Sequence, residues 1–107
     1  MPTEIAPFES EATGLPAKAQ MLEIAQRVCW WQPPAETLAW PTLFLAQVMT
    51  IGTWRDVCAV RALLGDRWFR ETLRRPPPGL FDAASWHYWH RVFDLAPIPP
   101  LPQRHLP

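Results

Sequence analysis

The stretch PTLFLAQVMTIGTWRDVCAVRALLGDRWFRETLRR, residues 41–75, decides the fold. From Pro41 to Ile51 it carries no charge, and Phe44, Leu45, Val48 and Met49 recur at helical spacing. Pro41 suits a first helical turn, where a missing N–H costs little. Gly52 reads as a left-handed C-terminal cap. Thr53 follows, with Asp56 three residues on, the spacing of a capping box with Asp in place of the usual Glu. A helix therefore starts at Trp54, with Val57, Val60 and Leu64 on one side and Gly65 at its end. Asp66 is expected to cap the next helix, 67–75, whose inner face is Trp68, Phe69, Thr72 and Leu73. Connections this short force consecutive helices to turn sharply and share one core.

On the N-terminal side, Met21, Ile24, Ala25 and Val28 fall at i, i+3, i+4 and i+7, which predicts an amphipathic helix over 17–30. Trp30-Trp31-Gln32-Pro33-Pro34 ends it, because a residue before proline avoids the α region. Residues 1–16, punctuated by Pro2, Pro7, Gly14 and Pro16, read as a flexible arm. On the C-terminal side, Pro76-Pro77-Pro78-Gly79 breaks the chain and Asp82 caps a helix over 83–95. There Trp86, Trp89, His90 and Phe93 form an aromatic inner face. Residues 96–107 hold five prolines and read as polyproline II or irregular tail. No segment alternates like a strand. The expectation is an all-α fold: a small single-domain bundle of four or five short helices at 17–95, between an arm and a proline-rich tail.

Composition narrows the function. The 107 residues carry ten bases and ten acids, so no excess charge attracts polyanions. The charge is uneven: residues 1–50 hold five acids and two bases, and 51–107 hold eight bases and five acids. Nine of the ten bases are arginine, the side chain suited to bidentate contacts and to stacking on aromatic rings. Two cysteines, Cys29 and Cys58, make no disulfide scaffold, and their apolar neighbours predict buried, inert thiols. From Thr37 to Trp54 no residue is charged, but Pro41, Gln47 and Gly52 interrupt the run, which predicts a core helix and not a membrane span. With no basic start followed by an apolar run, a cytoplasmic protein is expected. Seven tryptophans are available to fill a small core, where truncating a buried one costs about 3–5 kcal/mol.

Catalytic patterns are sparse. His87, His90 and Asp94 could share a helix face as metal donors, but no fourth ligand has suitable spacing, and His90 fits the aromatic core more simply. Ser85 and His87, two apart on a helix, point away from each other. No phosphate-binding glycine motif is present. A non-enzyme without cofactor is expected. Recognition has better candidates. Arg67, Arg70 and Arg74 align along one face of the fourth predicted helix, and Trp54 and Trp68 border them. As a helix-turn-helix, that face would address DNA, the alternative partner. The tail Pro99-Pro100-Leu101-Pro102-Gln103-Arg104 matches the Pro-x-x-Pro-x-Arg pattern that docks on aromatic grooves. The plainer expectation is a tail folded back onto Trp86 or Trp89.

Trp30-Trp31-Gln32-Pro33, Leu38, Gly52, Thr53-Trp54-Arg55-Asp56-Val57, Gly65, Phe69 to Leu73, and Phe81-Asp82 leading to Ser85-Trp86-x-Tyr88-Trp89-His90 carry a resemblance over residues 30–102. In these the chain resembles short bacterial proteins encoded beside nucleotidyltransferase-like toxins of the abortive-infection type. The resemblance implies an antitoxin-like protein that binds and masks such a toxin and needs no cofactor, and it carries no active-site residue over to this chain. Trp54, Arg67, Trp68, Arg70 and Arg74 are then the expected contacts, with arginines meeting the acidic, metal-binding pocket of the toxin.

Overall fold

A computed structural model describes residues 15, 16 and 18–102, which hold six α-helices and no strand. They are α1 (Ala19–Val28), α2 (Pro34–Leu38), α3 (Pro41–Ile51), α4 (Trp54–Leu64), α5 (Arg67–Arg74) and α6 (Ala83–Val92). Five match the helices read from the sequence. The sixth, α2, sits where Pro33-Pro34 reads only as a stop. Pro34 does end the preceding segment, but it also occupies the first turn of a new helix, which buries Thr37 and Leu38. The expected arm lies mostly outside the described residues. Its last apolar residue, Leu15, is buried and donates its N–H to Leu38 O at 2.8 Å.

The hub is α3. Every residue from Pro41 to Met49 is buried, and each of the other five helices packs on it. A helix apolar on all sides has no solvent face and must be surrounded. Its one amide, Gln47, donates to Val28 O at 2.8 Å and so satisfies a carbonyl at the end of α1. Between α3 and α4 the capping box is present: Thr53 Oγ1 accepts from Asp56 N–H, and Asp56 Oδ2 accepts from Thr53 N–H at 3.0 Å. Gly52 departs from expectation. Its φ of −70° is ordinary, not left-handed. Glycine is required for space, since a Cβ would stand 2.6 Å from the Val48 carbonyl oxygen. Gly65 is the left-handed one, at φ 78°.

Asp66 also differs. It precedes α5 but makes no side-chain cap. Its carboxylate instead accepts from Arg61 Nε at 2.7 Å and Nη2 at 3.0 Å. A bidentate charged pair outweighs one cap bond to a backbone amide. The last helix stops at Val92, three residues short of the expected 95. Asp94 turns left-handed at φ 55°, and Leu95 N–H bonds back to His90 O.

Three tryptophans fill the core. Trp86 and Trp89 each bury an indole with a satisfied N–H, to Pro99 O and to Met49 O, both at 2.8 Å. Trp68 joins them at 3% exposure. The tail folds back as the plainer expectation had it: Pro99 is held by Trp86, and Leu95, Ile98 and Leu101 pack on the core. No helix of the described residues is long and apolar enough to cross a membrane.

Candidate functional site

The residues chosen from the sequence do not stay together. Trp68 faces inward with Phe69, Thr72 and Leu73, so it supports α5 from beneath and offers nothing to a partner. That follows from the strict amphipathicity of α5, whose four apolar or small positions all turn toward α3 and α6. Arg67, Arg70 and Arg74 occupy its solvent face. Trp54, at the start of α4, is 61% exposed.

Trp54 is one wall of an apolar groove of about 540 Å³. Val48 and Met49 of α3 and the following Gly52 line it, as does Tyr88 of α6, which is 50% exposed. The groove lies where the two-residue link Gly52-Thr53 turns the chain from α3 into α4, between the start of α4 and α6.

The arginines are held by different groups. The Arg70 guanidinium lies 5.6 Å from the centroid of the Phe93 ring, and that of Arg61 lies 5.4 Å from the same centroid. Two cations on one ring, with Asp66 chelating Arg61, make a rigid charged cluster beside the C-terminal end of α6. The hydrogen bonds from Arg61 hold the Asp66 carboxyl below the usual range and raise Arg61 in turn. Arg74 is 3.8 Å from Glu71, which is bonded more closely to Arg75. Nothing in the sequence marks Arg61 for this role, because its partner Asp66 reads there as a helix cap.

Asp56 belongs to the frame and not to this surface. Arg27 Nη1 and Nη2 grip its two oxygens at 2.7 Å each, tying α1 to α4. Those bonds lower its pKa to about 2, against the opposing effect of its burial. Cys29 is buried, and burial pushes its thiol up. Cys58 is exposed, contrary to expectation, since it falls on the outer face of α4 with Arg61 and Ala62.

A second exposed aromatic region was also missed. Trp30, Trp31 and Trp40 are all more than half exposed, and Trp31, Trp40, Leu43 and Pro77 line a groove of about 400 Å³. Four of the seven tryptophans thus face solvent instead of filling the core. The signal was in the sequence: Trp30 and Trp31 follow the last apolar position of α1, and Trp40 precedes Pro41 outside any stripe.

Of the tail motif, Pro99 and Pro102 are described and Arg104 lies outside the described residues. The Pro99 carbonyl is already bonded to Trp86. Among the described residues no three His, Cys, Asp or Glu side chains gather as metal ligands; His90 is buried against Trp86 and His87 is exposed. No protein-family model, curated protein or solved structure proves similar to this chain.

Proposed function

We propose that this chain is a non-catalytic partner-binding protein, an antitoxin-like neutraliser of a nucleotidyltransferase-family toxin encoded beside it. The observation that carries this reading is the apolar groove between Trp54 and Tyr88, open to solvent on a molecule that also displays the Arg61–Arg70 cluster. Exposed tryptophan is costly in a small monomer unless something covers it. Tryptophan, tyrosine and arginine are also the residues that dominate interface energetics. A nucleotidyltransferase needs carboxylates to hold its metal, so Arg70 and Arg74 meet opposite charge there. The two carboxyls with displaced titration, Asp56 and Asp66, are both held charged by arginines, which is a structural use. Inhibition by coverage is the mode of action this reading implies.

Operator DNA, read by Arg67, Arg70 and Arg74, is the second reading, and it has less behind it. Glu71 lies among those arginines, and α5 packs mainly on α3 and α6, not on α4 as a helix-turn-helix pair would. A salt-dependent gel shift with the promoter fragment separates the two readings.

The deciding experiment coexpresses the chain with the nucleotidyltransferase-like protein from the adjacent reading frame. A stable complex is expected. Trp54→Ala should weaken it by about tenfold or more without lowering the melting temperature, and Arg70→Glu should weaken it at least as much while the chain stays folded.

A further inference from the structure

A separate cavity of about 260 Å³ lies between α5, α6 and the returning tail. Leu73, Leu95, Pro97 and Pro99 make apolar walls, and Arg74 and His90 are its two polar members. His90 is 97% buried by its 3% exposure, yet only half of its hydrogen-bonding capacity is used. Nδ1 lies 2.7 Å from the Trp86 carbonyl. A carbonyl only accepts, so Nδ1 carries a proton and donates. Nε2 has no hydrogen-bond partner among the described residues. No fully buried side-chain nitrogen or oxygen lacks a partner there, so Nε2 keeps an opening, and the cavity His90 lines supplies it.

Arg74 also has capacity to spare. Its contact to Glu71, at 3.8 Å, is at the outer limit of an ion pair, and Glu71 bonds Arg75 more closely. The cavity therefore joins a guanidinium to a buried imidazole edge within apolar walls. A carboxylate satisfies both when one proton is taken up from solvent onto Nε2 as it binds: one oxygen accepts from Arg74, and the other accepts from Nε2–H. We infer that this cavity binds a small monocarboxylate with an apolar body, held between the proline tail and α6. The site shares Arg74 with the proposed partner surface but uses none of the groove at Trp54.

The test titrates the full chain with cyclohexanecarboxylate, its methyl ester and cyclohexylmethylamine, followed by the ¹⁵N resonances of His90 and the backbone resonances of Leu95 and Ile98. The carboxylate should saturate in the millimolar range and move Nε2. The ester and the amine should not. Arg74→Gln, on an exposed side chain that leaves the core intact, should weaken binding about tenfold. His90→Phe, which keeps an aromatic ring against Trp86, should do the same. The inference is overturned by an ester that binds as tightly as the acid, by an Arg74→Gln protein of unchanged affinity, or by carboxylate shifts that never saturate.

Discussion

At both Gly52-Thr53 and Gly65-Asp66 a glycine ends one helix and a capping-type residue stands where the next begins. The two junctions use these residues differently. At the first, glycine is needed for room, since its backbone is ordinary and the Val48 carbonyl leaves no place for a Cβ. At the second there is ample room, and glycine is needed for its positive φ. At the first, Asp56 is buried, completes a capping box and anchors Arg27 of α1. At the second, Asp66 abandons the cap for Arg61 and helps fix a charged cluster at the surface. One junction builds the frame; the other arranges what the frame displays. The same local pattern thus acquires its role from what lies opposite it.

Breaking the frame should cost most. Asp56→Ala removes its half of the capping box, the bond from Thr53 N–H, and both arginine bonds from a carboxylate whose side chain is only 6% exposed. A loss of about 2–4 kcal/mol is expected in chemical denaturation. A loss below about 1 kcal/mol would place Asp56 with Asp66. Acid gives the same contrast without an alanine. The folded pKa of Asp56, about 2, lies below its ordinary value of 3.8. A depressed pKa contributes stability above the ordinary value and loses it as pH falls through the folded one. The wild type should therefore lose about 2 kcal/mol between pH 5 and pH 2 that Asp56→Asn does not lose. Asp66→Asn should retain most of that acid sensitivity.

The glycines come next. Gly52→Ala forces a backbone contact apart and should cost about 1–3 kcal/mol. Gly65→Ala has space but strained dihedrals, at about 1–2 kcal/mol. The steric case should recover if α3 shifts, which a crystal structure of the variant would show at Val48. Smallest is Asp66→Ala, on a half-exposed pair, at less than about 1 kcal/mol in thermal melts. A larger loss would mean that the second junction is also frame.

Five of the six helices were legible because apolar periodicity and caps agreed: Met21 to Val28, Phe44 to Met49, and Thr53 with Asp56. The sixth was hidden because Pro33-Pro34 is both a terminator and a first turn, and the sequence gives no local means of telling which. The core role of Trp68, Trp86 and Trp89 followed from their stripes. The outward tryptophans were harder to place, because aromatic bulk argues for burial wherever it occurs. The Arg61–Asp66–Phe93–Arg70 cluster joins three elements, and only the fold brings Phe93 under the two guanidiniums.

The central claim is that this helical frame displays a surface for gripping a protein partner. Isothermal titration of the chain against the product of the adjacent reading frame, proposed above to be nucleotidyltransferase-like, tests it most directly. The account predicts saturable binding that Trp54→Ala weakens by about tenfold or more at unchanged stability, and that Arg70→Glu weakens at least as much while the chain stays folded. Absence of binding, or binding indifferent to both substitutions, would contradict it.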